Sequence, residues 1–493
     1  MDVRRGEWRG LVTAFVTLLL LIAGHTALET ARDALLLTRL PARALAVVYV
    51  AVAICVLPAV ALAGRAAVRF GAVPALGGGL LAAVALLLGL FAAPMNILTS
   101  VAVYVTSGLI GAVLVPLYWN LLASMLNVAQ ARRLLGIVGA AGVLGGVVGS
   151  GAAATLLTVL HARALLLVSA GVFLVTCGAL AAIPARADAL RLTPATTGML
   201  PSRRDAAELR GEPFLGRLAL LVVVSTAAAL FVDYFFKWTV ARTVPHHQIA
   251  AFVARTYAWL NVLSLIAQVF VTGALVRRIG VATTMIVTPL LMLVGGVGAL
   301  VVTAALTAAL SLKIIDGTFR NSVHRVTTEL LYLPVPGALR ARAKPFIDGA
   351  LARLTQAAAG IFLLALGGAD YLSSWLLAAL AVGAIVVWLG VAVTTRGPYL
   401  QMLRHSVAGD SAAPVEIDPI DIESAETLVE LLAHQDPGVV LGAMSVLARR
   451  GRDRVIPALI LLHEDEHVLV RALAIFGASP REDWIPRARQ VLS

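Results

Sequence analysis

The sequence predicts an all-α integral membrane protein of about twelve transmembrane helices in two six-helix halves, followed by a small helical tail. Three observations predict this. Of 493 residues, 60% are hydrophobic and only 13% charged, and the mean hydropathy of +0.92 is far above that of soluble domains. Apolar runs of about 20 residues, the length that crosses a hydrocarbon core of about 30 Å, recur along the chain. Basic residues gather in every second connection between those runs.

The expected spans lie within 11–36, 43–64, 72–93, 97–126, 135–159, 163–184, 214–242, 251–276, 281–303, 306–333, 345–368 and 371–395. The first follows a basic start that mimics a signal peptide, but the run is long, lacks an A-x-A-like site and continues into ETARDA, so it reads as a retained helix. Arg4, Arg5 and Arg9 precede the first span, Arg65 and Arg69 follow the second, and Arg132 and Arg133 the fourth. Arg203, Arg204 and Arg210 follow the sixth, Arg277 and Arg278 the eighth, and Arg340, Arg342 and Lys344 the tenth. This positive-inside pattern places both termini in the cytoplasm of a cell with the protein in its inner membrane. The formal charge of +12 is thereby spent on topology, and no nucleic-acid partner is expected. Cys55 and Cys177 fall inside apolar runs, which predicts small core residues and no disulfide.

The halves are expected at 1–184 and 212–396, joined by a polar linker at 185–211. Gly64, Arg69 and Gly71 in GRAAVRFG are echoed by Gly273, Arg278 and Gly280 in GALVRRIG, after the second and eighth spans. Such an echo is what two parallel repeats produce, as in a major-facilitator-like fold. A second linker is expected at 397–423 and a cytoplasmic tail at 424–493. In the tail Asp436, Val439, Ala443 and Leu447 recur as Asp465, Val468, Ala472 and Phe476, which reads as short HEAT-like repeats. Alternating helices are expected over 428–432, 439–447, 455–462, 468–476 and 484–492. Two and a half repeats bury little, so the tail is expected to lean on the membrane domain, a second copy or a protein partner. Thirteen of the 27 acidic residues lie from Glu416 onward, which gives the tail a solvated acidic surface.

Charges inside a bilayer cost roughly 2.5 to 3.5 kcal/mol each on insertion scales, so those retained must face protein or water. Lys313, Asp316, Arg320 and His324, spaced by three, four and four residues, share one face of the tenth helix. Glu29, Arg32 and Asp33 sit late in the first helix, and Asp233 and Lys237 at a comparable depth in the seventh, its repeat counterpart. On a transport reading Arg32, Lys237, Lys313 and Arg320 bind an anionic substrate, while Glu29, Asp233 and Asp316 keep them charged and exchange partners. The competing reading is a set of internal ion pairs that fixes packing. Asn120 is a further lining candidate, and Asp33, His324 and Glu329 are candidates for charge pairing or gating. Tyr118 and Trp119 read as interface anchors. Gly136, Gly139, Gly142, Gly145, Gly146 and Gly149 give the fifth helix a smooth face for close packing. No zinc-ligand cluster, nucleotide fingerprint or hydrolase elbow is found. A secondary transporter without catalytic residues, metal or cofactor is therefore expected, and not an enzyme or an ATP-driven pump.

Several stretches together resemble the ATP/ADP translocases, the nucleotide transporter family of plastids and intracellular bacteria. ETARDALLLT is similar to that family's Lys-Asp segment, with Arg32 at the lysine and Asp33 at the aspartate. YWNLLASMLNVAQARRLLGIVGAAG resembles its aromatic-Trp segment, and VDYFFKWTVARTVP its Glu-to-Lys segment, with Asp233 and Lys237 on the acid and base. In TTELLYLPVPGALRARAKPFID, Glu329, Tyr332, Pro334, Lys344 and Asp348 match. Thr328, Gln356 and Ser124 stand where the family pattern has two lysines and an acid. The resemblance implies exchange of a nucleotide or another phosphorylated anion by alternating access. Two other readings stay open: transport of a lipid, peptide or other metabolite, and a membrane sensor or scaffold that recruits a partner through the tail.

Overall fold

The computed structural model describes residues 8–40, 45–125, 128–181, 212–301, 305–368, 373–408, 428–434, 436–449, 455–478, 481 and 483–492. The expected linker at 185–211 and most of that at 397–423 lie outside the described residues. Among those described the regular structure is helical, and ten helices are long and apolar enough to cross a membrane. The first half holds α1 (Trp8–Leu37), α2 (Leu45–Phe70), α3 (Ala72–Ala92), α4 (Ile97–Met125), α5 (Val128–Leu156) and α6 (Ala164–Ala181). The second begins with α7 (Pro213–Thr243), α8 (His246–Ile279) and α9 (Val281–Val301). Next come α10, built from Ala305–Phe319, a π turn Arg320–His324 and Arg325–Leu331, and α11, built from Gly337–Lys344, a π turn Pro345–Leu351 and Ala352–Gly368. Last in the half is α12 (Ser374–Ala408).

Two of the twelve expected spans are not among the ten. One is α9, whose described apolar run is short; the other is α10, whose apolar run is broken by Lys313, Asp316 and Arg320. Helix α12 continues past the expected boundary at 396.

The internal echo has a backbone counterpart. Gly71 has φ 93° and ψ 164°, and Gly280 has φ 83° and ψ 164°, a region that essentially only glycine occupies. Each donates its N–H to the helix just ended, Gly71 to Ala67 at 3.0 Å and Gly280 to Val276 at 3.2 Å. Each then starts the next helix by accepting from the residue four ahead, Ala75 at 3.2 Å and Thr284 at 3.0 Å. The same reversal thus follows the second helix of each half.

The glycine face of α5 packs on α1, where a Cβ on Gly145 would stand 2.5 Å from the Leu19 carbonyl and one on Gly149 2.7 Å from Ala23 Cα. Gly146 of the same helix meets Asn261 of α8 across the two halves. The halves have separate apolar cores. Leu36, Leu37, Leu45, Ala46, Val48, Tyr49 and Tyr104 of the first half nevertheless belong to the core of the second. All lie at the end of the bundle that carries the α1–α2 and α7–α8 connections, and there the halves are closed against each other.

Two expectations fail on burial. Cys55 is exposed on α2 and is not part of the core. Tyr118 is buried and donates to the Ala14 carbonyl at 2.7 Å, so it ties α4 to α1 and is not an interface anchor.

The tail forms α13 (Pro437–Arg449), α14 (Glu466–Gly477) and α15 (Ile485–Leu492) around an apolar core of its own. Ala458–Leu462 is a 3-10 helix where an α-helix is expected over 455–462; Pro457 disfavours the helical conformation at Ile456, so the helix begins only after it. The echo extends to the turns: His434 Nδ1 accepts from the Asp436 N–H at 3.1 Å and His463 Nδ1 from the Asp465 N–H at 3.0 Å. Arg404 of α12 pairs with Glu430 at 2.8 Å, which fastens the tail to the last membrane helix.

Candidate functional site

Three apolar helices, α1, α7 and α10, bring charges to about the same distance from the closed end. Asp33 lies four residues before the end of α1, Lys237 six before the end of α7, and Lys313 eight after the start of α10, which places all three within about 12 Å of that end at 1.5 Å per residue. Lys237 sits at the centre. Its Nζ is 2.8 Å from Asp233 Oδ2 on its own helix and 3.1 Å from Asp33 Oδ1 on α1, and it donates to the Tyr104 hydroxyl of α4 at 2.8 Å. Lys237 and Asp33 are 1% and 0% exposed, so neither has water as an alternative partner.

The cluster extends both ways. Asp233 Oδ1 accepts from Lys313 Nζ at 2.6 Å, and Oδ2 accepts from the Tyr49 hydroxyl of α2 at 2.7 Å. Asp33 Oδ2 accepts from the Tyr257 hydroxyl of α8. On the other side Arg32 reaches Asp33 at 3.3 Å and Glu29 at 3.2 Å, and its guanidinium lies 4.6 Å from the centre of the Tyr104 ring. Burying charges in this way costs several kcal/mol per ion unless every lone pair and proton is matched. Here the three tyrosines complete the matching.

The stripe on α10 divides. Lys313 joins this cluster, whereas Asp316 and Arg320 pair with each other at 2.8 Å. Arg320 also donates to the Ser225 carbonyl of α7 at 3.2 Å and lies over the Trp388 ring of α12 at 5.5 Å. His324 meets the edge of the same Trp388, with ring centres 5.0 Å apart. The two groups separate along the axis: Arg320 lies seven residues, roughly 10 Å, beyond Lys313, and meets α7 at Ser225, about two turns from Asp233. Glu329 is elsewhere again: it binds Lys344 at 2.9 Å, and Lys344 binds Asp348 at 2.9 Å, all within the second half. Asn120 lies on α4 thirteen residues beyond Ser107, roughly 20 Å along the axis, and is only half-buried. Among the described residues no group of three or more metal-ligating side chains occurs.

Sequence reading missed Tyr49, Tyr104 and Tyr257, which hold the cluster, and His25, which touches its edge. The signal for the tyrosines was a phenol in an otherwise apolar span, a group that needs a partner when buried. For His25 it was the four-residue spacing to Glu29.

The profile of the Major Facilitator Superfamily matches residues 10–331. ADP,ATP carrier protein 1 of Chlamydia muridarum (strain MoPn / Nigg) is 28% identical over 200 residues, which cover 36% of this chain and 38% of that protein. The matched stretch thus spans well under half of the relative's length. The crystal structure of D-xylose-proton symporter superposes with a TM-score of 0.54 at 15% identity, covering 77% of this chain and 97% of that one. That of nucleoside transporter NupG gives 0.53 at 13% identity, with 82% and 99% covered. At such identities these structures speak for the fold alone.

Proposed function

Because the chain belongs to the Major Facilitator Superfamily and is a multi-pass membrane transporter, we propose that it exchanges a nucleotide or a related phosphorylated anion, by closing its two halves around Lys237. The observation that carries this reading is the position of Lys237 Nζ between Asp33 of the first half and Asp233 of the second.

The charge count gives the lock its meaning. In the first half Arg32, Glu29 and Asp33 sum to one negative charge; in the second Lys237, Lys313 and Asp233 sum to one positive charge, with Asp316 and Arg320 cancelling. Closed, the two residual charges neutralise each other. Parting the halves strands a cation in the second half and an anion in the first, which low-dielectric surroundings make costly. An anionic substrate that reaches Lys237 and Lys313 replaces the Asp33 carboxylate, and so favours the parted state by its differential affinity. The phenols of Tyr104 and Tyr257, released with the lock, supply hydrogen-bond donors for phosphate oxygens. The phosphorylated substrate class rests on the segment resemblance and on the chlamydial relative.

In this reading Arg32, Asp233, Lys237, Lys313, Asp316, Arg320 and Asn120 line the path, and Glu29, Asp33, His324 and Glu329 pair or gate. The halves are 1–184 and 212–396, with the tail at 424–493 a HEAT-like docking element on the cytoplasmic side of the inner membrane. Labelled ATP taken up by liposomes that carry the purified protein and are preloaded with ADP tests the substrate class. Absence of uptake for every nucleotide, beside an active control transporter, rejects it.

A further inference from the structure

Arg255 is a charge on the outer side of a membrane helix. It lies on α8 two residues before Tyr257, and the two side chains leave the helix about 200° apart. Tyr257 reaches inward to Asp33, on the side where Val253, Thr256, Leu260 and Ser264 are buried in the bundle. Arg255 is exposed on the opposite side. That side stays exposed and apolar as α8 continues through Trp259, Ile266, Val269 and Phe270, the composition of a surface in contact with acyl chains.

The depth of Arg255 follows from the run that begins after it. Between Arg255 and Arg277 the run 256–276 holds no charged residue and is about 31 Å long at 1.5 Å per residue, the thickness of a hydrocarbon core. The two arginines therefore mark its two boundaries, with Arg255 among the headgroups of the leaflet at the closed end. The side chain turns the same way: Nε donates to the Ala251 carbonyl at 3.3 Å, one turn nearer that end. Among the described residues neither its two terminal nitrogens nor the indole N–H of Trp259 has a protein partner.

We propose that Arg255 and Trp259 form a binding site for one anionic glycerophospholipid of that leaflet. The planar guanidinium, with both terminal nitrogens open, matches a phosphate bidentately. Trp259 lies about 6 Å deeper on the same face, where its N–H donates to an ester carbonyl of the same lipid. Phosphate above ester is the order in which a glycerophospholipid presents its groups. The headgroup is anionic because the connections at this end hold Arg39, Arg163 and Arg242 and, among the described residues, no carboxylate that would receive an ammonium. A lipid that holds both side chains also fixes the rotation of α8 at which Tyr257 meets Asp33, and so stabilises the closed protein.

Phosphatidylglycerol titrated onto the purified full chain in detergent, with bound lipid counted by native mass spectrometry, tests this. The wild type is expected to bind one molecule at least about tenfold more tightly than Arg255→Gln does, the loss of a charge-assisted hydrogen bond. Trp259→Phe, which keeps a ring and loses the N–H, falls between the two. Arg242→Gln, at the same end but over the Trp238 ring, leaves binding unchanged. Phosphatidylethanolamine binds several-fold more weakly, and inorganic phosphate, which has no ester, does not displace the lipid. In thermal unfolding phosphatidylglycerol raises the midpoint of the wild type and not that of Arg255→Gln. Equal binding by Arg255→Gln and the wild type overturns the proposal. So does an equal loss in Arg242→Gln, which would mean attraction to the basic end as a whole, and so does displacement by inorganic phosphate. Each of these results leaves the transport reading as it stands.

Discussion

Lys237 of α7 and Asp33 of α1 lie 3.1 Å apart, both almost completely buried, and pair opposite charges across the two halves of the protein. Removing either partner alone leaves an uncompensated charge. Asp33→Asn is expected to lower stability by roughly 3 to 5 kcal/mol, the range for breaking a buried pair. The doubly neutral Asp33→Asn with Lys237→Met, measured by thermal unfolding in detergent, recovers part of that loss. A double variant no more stable than the worse single one would mean that Lys237 depends on Asp233 alone.

The paired glycine turns give a second expectation. Gly71→Ala and Gly280→Ala each force a side chain into backbone conformations with φ 93° and 83°, at a cost of about 1 to 3 kcal/mol. Equal losses at the two positions in thermal unfolding are the expected result, because the two turns carry the same hydrogen bonds.

The face of α5 separates by position. Gly149→Val drives a side chain into the Ala23 backbone and pushes α1 from α5, whereas a Cβ at Gly139 meets nothing within 4 Å. Gly149→Val is therefore expected to abolish folding or lower the melting temperature sharply, while Gly139→Ala leaves it within about 0.5 kcal/mol of wild type.

Arg320 is a two-direction donor, with Nε to Asp316 and one terminal nitrogen to the Ser225 carbonyl. Lysine has no planar fork and satisfies only one of the two. Arg320→Lys is expected to lower stability by about 1 to 3 kcal/mol and to slow transport, read as the initial rate of labelled ATP uptake. Arg320→Ala abolishes uptake.

The tail has its own core, and its described ion pair to α12, Arg404 with Glu430, is exposed and worth at most about 1 kcal/mol. Ending the chain after Asp410 is expected to leave the transport rate near wild type. Loss of transport with a normally folded membrane domain would make the tail part of the transport cycle.

Much of this arrangement was legible beforehand, because a bilayer penalises charge and makes each retained one conspicuous. Asp33, Asp233, Lys237 and Lys313 could be picked out as single letters in apolar text, and the glycine echo at Gly71 and Gly280 marked the repeat. Which charge meets which is decided by helix packing, and periodicity carries no information across helices. The split of the α10 stripe between Lys313 and Arg320 was invisible for that reason. Tyr49, Tyr104 and Tyr257 were hidden by their apolar character, although their hydroxyls complete the cluster. Cys55 was misplaced because a membrane helix is apolar on its lipid side too, so hydrophobicity does not tell core from surface.

Whether Lys237 holds the halves closed can be measured directly. With Cys55 and Cys177 replaced by serine, spin labels at Arg39→Cys in the α1–α2 connection and His246→Cys in the α7–α8 connection report the separation of the halves at that end by electron paramagnetic resonance. One short distance is expected in the otherwise wild-type protein, and a second, longer one that becomes dominant when Lys237→Ala is added. An unchanged distance distribution in a folded Lys237→Ala protein would contradict it.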